Sequence, residues 1–184
     1  MRSVSRFPRD PQAPGQAPLP EHLRLERYAP AYINWISNKL SRGASQHYLS
    51  LFGVGIEAWR LLVELAAKGT TTAQDASRAL GMNKASVSRA MKSMQAQGLI
   101  ALSLDSSDGR LRHARLTPKG RSLHLRIEEL ALHREQAFLS VLGAHERELL
   151  LGMLRRLHDH IPEVERQTQD FISRRRLAGR MPRD

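Results

Sequence analysis

The chain has 184 residues, enough for one domain of usual size or one domain with extensions. Lys and Arg number 29 against 18 acids, a formal charge of +11 that favours a polyanionic partner. With no Cys there are no disulfides, thiol redox switches or cysteine nucleophiles. Aromatics are only 5%, so the core must be built mainly of Leu, Ala, Ile, Val and Met. No apolar run reaches the roughly 18 residues that a membrane span needs, so no membrane partner is expected. The arginines near the start are not followed by an apolar run, so no secretory leader is expected and a cytoplasmic chain fits.

Residues 1–20 hold five of the nine prolines, together with Arg2, Arg6 and Arg9, and read as a disordered, basic, Pro-rich arm. Residues 21–52 read as helical. Pro30 disfavours helix at Ala29 but suits the first turn of a helix that starts there. Ile33, Ile36, Leu40, Ala44 and Tyr48 then keep a helical stripe, which Gly53 and Gly55 break. Ile56–Lys68 is a second predicted helix, with Ile56, Trp59, Val63 and Ala66 on one face and Gly69 closing it.

Thr72 and Asp75 have the spacing of a capping box, with Asp in place of Glu, and open a short helix to Leu80. Gly81 makes a tight turn. Asn83 caps the next helix, whose apolar stripe is Val87, Met91 and Met94. Its opposite face carries Lys84, Ala85, Ser86, Ser88, Arg89 and Lys92. Short hydroxyls among cations can reach base edges and phosphates, and the positive helix N-terminus suits a phosphate. Gly98 stands where a helix C-terminus expects Gly. Two helices joined by a Gly turn, the second with a polar outer face, make a helix-turn-helix. The same pattern also describes an ordinary helix pair with a solvated, charged face.

Leu99–Leu104 and Leu111–Leu116 are too short for helices and flank the turn-forming run Asp105–Gly109, which predicts a β-hairpin. A hairpin directly after such a helix is a wing. Arg110 stands at its tip, with Arg112, His113 and Arg115 behind; a tip Arg can enter a minor groove, and Asp108 can hold its guanidinium. Thr117 and Pro118 are an N-cap and a first-turn proline opening a long helix through Leu123, Ile127, Leu130, Arg134, Phe138 and Val141. After Gly143, Ala144–Phe171 is a further long helix, kinked by Pro162. The apolar stripes of these helices exceed what a small winged domain needs, and a second copy is the simplest partner. The arginine-rich end frays.

These elements, in order, resemble the MarR-type winged helix-turn-helix transcription regulators. The resemblance is carried by Gly55–Leu61, Thr72–Gly81, Lys84–Arg89, Gly98–Ile100, Asp108–Arg110 and Leu116–Gly120, and covers about residues 30–170. Asp-x-Arg followed by Leu-Thr-x-x-Gly is its most specific part. It implies a mainly α fold with a small β-hairpin wing, and a homodimer formed by the N- and C-terminal helices. It also implies a pseudo-palindromic DNA operator, read by the recognition helix in the major groove and a wing Arg in the minor groove. Two features depart from it: the first wing strand, Ile100–Leu104, lacks the usual arginines, and Gly109 separates Asp108 from Arg110.

The expected organisation is an arm at 1–20, a dimerisation helix at 21–52, a DNA-binding lobe at 53–117, dimerisation helices at 118–172 and a basic tail at 173–184. The candidate DNA-binding residues are Lys84, Ser86, Ser88, Arg89, Lys92, Asp108, Arg110, Arg112 and His113. The resemblance further implies an effector pocket, for which Trp35, Asn38, Ser41, His47, Tyr48, Trp59 and Arg60 are candidates. Rings, a His and an Arg there suit a small aromatic carboxylate. YINWISNKLSRG and FGVGIEAWR resemble the regulators of aromatic-acid and nicotinate breakdown. The expected activity is repression relieved by such an acid. A nonspecific architectural DNA binder, a metal-responsive regulator and a protein-interaction adaptor are the alternatives. No catalytic triad, metal-binding motif or glycine-rich phosphate loop occurs, so neither an enzyme nor a cofactor is expected.

Overall fold

The computed structural model describes residues 23–104 and 112–177. The chain divides into two compact units, with the boundary between Ile56 and Glu57.

In the first unit a short 3-10 turn, Leu25–Arg27, precedes α1, Ala29–Phe52. Helix α1 starts one residue earlier than expected, with Pro30 in its first turn, and ends on Gly53 in the left-handed region at φ 70°. Ala44 and Tyr48 are its buried positions, whereas Ile33, Ile36 and Leu40 of the predicted stripe are exposed.

The second unit contains α2 (Ile56–Lys68, beginning just before the boundary), β1 (Thr70–Thr72), α3 (Ala73–Leu80), α4 (Lys84–Ala96), β2 (Ile100–Leu104) and β3 (Arg112–Leu116), followed by α5 (Pro118–Leu139), α6 (Ala144–Asp159) and α7 (Ile161–Leu177). Strands β2 and β3 pair antiparallel, as the hairpin reading requires. The sheet has a third strand, where the sequence predicts only the edge of the helix-turn-helix. β1 pairs with β3, Thr70 opposite Arg115 and Thr72 opposite His113, giving the order β1-β3-β2. Three threonines show too little alternation to announce a strand, and only the distant partner makes them one.

The core of this unit is aliphatic and thioether. Leu61, Leu62 and Leu65 of α2, Val87, Met91 and Met94 of α4, Ala114 and Leu116 of β3, and Ile127 of α5 make up its buried interior. The face predicted for α2 is corrected here. Ala58, Leu61, Leu62 and Leu65 are its buried residues, while Val63 and Ala66 are exposed. The buried set is itself an i, i+3, i+4, i+7 stripe, and three leucines bury more apolar area than the Val and Ala of the alternative face.

A second correction concerns residues 144–171, which form two helices instead of one kinked helix. Pro162 has no N–H to give the His158 carbonyl, so α6 ends at Asp159 and α7 restarts at Ile161. His160 joins them, its N–H donating to the Arg156 carbonyl at 3.2 Å and its own carbonyl accepting from Glu163 at 3.1 Å. Among the described residues, no helix is long and apolar enough to cross a membrane.

Candidate nucleic-acid interface

The helix-turn-helix is held by local hydrogen bonds at each joint. Thr72 caps α3, its hydroxyl oxygen accepting from the Asp75 N–H at 3.1 Å. The reciprocal half of the predicted box differs. The shorter Asp75 carboxylate accepts from the Thr72 hydroxyl at 2.7 Å instead of reaching the Thr72 backbone. Gly81 then turns the chain at φ 60°, a conformation that favours glycine. Ser77 ties the turn shut: its hydroxyl donates to the Met82 carbonyl at 2.6 Å and its carbonyl accepts from the Met82 N–H at 3.0 Å.

Helix α4 is fixed at both ends. The Asn83 side chain accepts from the Ala85 N–H at 2.8 Å. At the far end the Gly98 N–H reaches the Gln95 carbonyl and the Leu99 N–H the Met94 carbonyl, both at 2.9 Å, a Schellman motif with Gly98 at φ 70°. The Thr117-x-x-Gly120 segment then locks this end to α5. The Thr117 hydroxyl donates to the Gly98 carbonyl at 2.7 Å, and Lys119 Nζ donates to the Gln97 carbonyl at 2.8 Å. Gly120 is required by close approach, since a Cβ there would overlap the Leu99 carbonyl.

With Val87, Met91 and Met94 buried, α4 presents Lys84, Ser88, Arg89 and Lys92 to solvent, and Ser86 is half-buried. Lys84, Ser88 and Lys92 follow one another at i, i+4 along this face. No acid lies in the first turn, so nothing there offsets the positive end of the helix dipole. Arg89 Nη2 donates to Ser86 Oγ at 3.0 Å, which orients the guanidinium and leaves the serine O–H to donate elsewhere.

The wing candidates separate. Arg112 is exposed at the start of β3, opposite Leu104. His113 is half-buried and lines a 480 Å³ cleft with Lys68, Thr70, Thr72, Asp75 and Arg78, away from α4. Asp108 and Arg110 lie outside the described residues, as do the arm at 1–20 and the last residues of the tail.

The effector candidates fall in both units. On α1, Trp35 is exposed and meets Tyr32 edge to face at 5.4 Å, and Asn38 donates to Asn34 at 3.1 Å. Ser41 is half-buried, His47 exposed and Tyr48 buried. On α2, Arg60 is half-buried, and Trp59 stacks on His124 of α5 with centroids 5.4 Å apart and planes at 20°. His124 is 7% exposed and is not among the sequence candidates, because it stands between Leu123 and Leu125 in an apolar stretch where a polar residue signals nothing. Among the described residues, no group of three or more His, Asp or Glu could hold a metal ion.

A short helix, a glycine turn, a second helix with a cationic outer face and a sheet behind it define a winged helix-turn-helix protein. A family model described as MarR family matches residues 52–111. The chain is 30% identical to a MarR/EmrR family transcriptional regulator from Acinetobacter sp. ADP1. It superposes on that structure with a TM-score of 0.70, covering 77% of this chain and 99% of the other. The chain therefore belongs to the MarR family of transcriptional regulators. Two more distant structures share the fold. One is a mutant MarR from E. coli complexed with operator DNA, 19% identical, TM-score 0.61, covering 72% of this chain and 92% of that one. The other is the PcaV regulator from Streptomyces coelicolor in complex with its natural ligand, 19% identical, TM-score 0.61, covering 75% and 96%.

Proposed function

We propose that the chain is a homodimeric repressor that reads a pseudo-palindromic operator through α4 and is released by a small aromatic acid. The observation that carries the DNA reading is the exposed row Lys84, Ser88, Arg89 and Lys92 on a helix capped at both ends. Arg89, aimed by Ser86, is assigned to a base edge, while Lys84 and Lys92 take phosphates. Arg112, exposed at the start of β3, is assigned to the wing contact.

A second copy is supported by the uncovered apolar residues of α6 and α7: Leu149, Met153, Leu154, Leu157, Ile161 and Phe171 are all exposed in the single chain. Two recognition helices related by a twofold axis demand an inverted-repeat operator with matching half-site spacing. The effector reading rests on Trp59 and His124. An aromatic face beside an imidazole suits a ring bearing a carboxylate. Such a ligand relieves repression only if it binds the DNA-incompetent state more tightly than the competent one.

The test is fluorescence anisotropy on a duplex from the gene's own upstream region, with excess random DNA, titrated with nicotinate, 6-hydroxynicotinate and salicylate. Tight binding that resists random DNA and falls with one acid is the expected result. Binding that no acid relieves would leave the regulator and remove the effector. Binding abolished by random DNA would replace the reading with an architectural protein, which the +11 charge also suits. Arg89→Ala should cost about 1–3 kcal/mol and relax specificity at one operator position. Uniform weakening across operator variants would make Arg89 a phosphate contact.

A further inference from the structure

Just past the C-terminal end of α4, three successive carbonyls accept from the start of α5. Lys119 Nζ donates to the Gln97 carbonyl at 2.8 Å, the Thr117 hydroxyl to Gly98 at 2.7 Å, and the Thr117 N–H to Leu99 at 3.0 Å. A helix end leaves its last carbonyls without partners of its own. Here α5 supplies them. The same Thr117 oxygen accepts from the Gly120 N–H at 3.1 Å and so caps α5. One hydroxyl therefore joins the negative end of α4 to the positive end of α5.

Lys119 belongs to the same tie. A cation in the first turn of a helix opposes that helix's dipole, and no acid in the first turn of α5 offsets it. The same charge is favourable at the end of α4, where it meets a terminal carbonyl. Lys119 is exposed, so removing its ammonium leaves the buried interior intact.

The tie fixes an angle. α4 has 13 residues and is about 20 Å long. A rotation of about 5° at Gln97 would move Lys84 by about 2 Å, enough to break a hydrogen bond to a base edge. We propose that Thr117 and Lys119 are positioning residues for DNA reading. Through the Gly98 and Gln97 carbonyls, the first turn of α5 sets the angle at which α4 presents Lys84, Ser88 and Arg89. The proposal rests on the reading of α4 as the helix that meets the operator. An untied α4 binds the operator only in its aligned fraction, and the apparent affinity falls by that fraction. Binding to random DNA follows charge more than register and is spared.

The experiment is anisotropy of the full chain on the upstream duplex and on a random duplex, each across a salt series. Lys119→Met should weaken operator binding about threefold and Thr117→Val about tenfold, with random-duplex affinity and salt slope unchanged. Lys119→Arg and Thr117→Ser, which keep a donor, should restore operator binding. Thr117→Val also removes the α5 cap. If circular dichroism shows it unfolded, Lys119→Met carries the test alone. The chain has no Cys, so spin labels at Gln95→Cys and Ser122→Cys, both exposed positions, report the α4–α5 distance. Diluted into unlabelled chain, that distance distribution should broaden in Lys119→Met and Thr117→Val and stay narrow in the two restoring variants.

Operator binding unchanged in Lys119→Met, with no broadening, would overturn the proposal. So would equal weakening on both duplexes with a salt slope lower by about one, which would make Lys119 a phosphate contact. Arg89→Ala tells this failure from failure of the premise. If Arg89→Ala weakens operator binding and Lys119→Met does not, α4 still reads the operator and the tie does not position it. If Arg89→Ala binds the operator like wild type, α4 does not read it, and the proposal falls with that reading.

Discussion

Helix α4 and the α6–α7 pair are both amphipathic, yet they use their apolar residues in opposite ways. α4 buries Val87, Met91 and Met94 within its own chain, whereas α6 has no buried residue and leaves Leu149, Met153, Leu154 and Leu157 in solvent. The difference lies in what surrounds each helix. α4 packs against α3 and β2, in a core that closes within one copy. The apolar face of α6–α7 is complete only when something else covers it. The first region specifies a fold; on the dimer reading proposed above, the second specifies an association, so mutations in them should respond differently to chain concentration.

The largest effect should come from Leu62→Ala. Leu62 is fully buried, and losing its side chain should cost about 2–5 kcal/mol, by urea unfolding, at every chain concentration. Leu157→Ala, half-exposed in the single chain, should cost under about 0.5 kcal/mol at high dilution, with a larger loss appearing only as concentration rises. An equal, concentration-independent cost for both would erase the contrast. Next comes Gly120→Ala, whose new Cβ meets the Leu99 carbonyl. Relief requires moving β2 or the start of α5, at about 1–3 kcal/mol. A neutral Gly120→Ala would mean that the α4–α5 joint is looser than its hydrogen bonds imply. Thr72→Ala removes the α3 cap and should cost about 1 kcal/mol, again without concentration dependence.

The same contrast decides what can be read from the sequence. Helix α4 is legible to the residue because every signal in it is local: Asn83 at the cap, Val87, Met91 and Met94 at i, i+4, i+7, and Gly98 at φ 70°. So are the Thr117 cap and the paired strands β2 and β3. β1 is not, because Thr70–Thr72 becomes a strand only through β3, some forty residues away in sequence. The α2 face differs from expectation because Trp59 draws the predicted stripe toward itself, whereas Ala58, Leu61, Leu62 and Leu65 bury more. Of the candidate site, the α4 face is legible from residue type and period. The tie between Arg89 and Ser86 and the placement of His113 in a cleft away from α4 need coordinates. The break at His160 is half-legible. Pro162 announces a disturbance, but a kink and a restart share that signal.

The smallest expected effect lies on α7, where charges do on an exposed surface what apolar packing does in α4. Arg166 donates to both Glu163 oxygens, at 2.8 and 2.6 Å, and to Asp170 at 2.8 Å, and Gln167 also donates to Glu163 at 2.8 Å. The Arg166 hydrogen bond, helped by Gln167 and the nearby His160, lowers the Glu163 carboxyl from 4.5 to about 2. The Arg166 guanidinium is raised in turn, first by Glu163 and then by Asp170. A carboxyl depressed on folding stabilises the helix fully above its unfolded value and loses that contribution as pH falls through its folded one. The contribution of Glu163 should therefore be intact above about pH 4.5 and gone near pH 2. The raised arginine titrates far above this window and adds no acid dependence. Both groups are exposed, so the stabilisation is small and screened by salt. Glu163→Gln should lower protection of the α7 amides in hydrogen exchange at pH 6, and the difference from wild type should close as pH falls toward 2. A difference that persists unchanged across that range would assign the effect to helix propensity instead of the ion pair. α7 would then be held, like α6, only by what covers its apolar face.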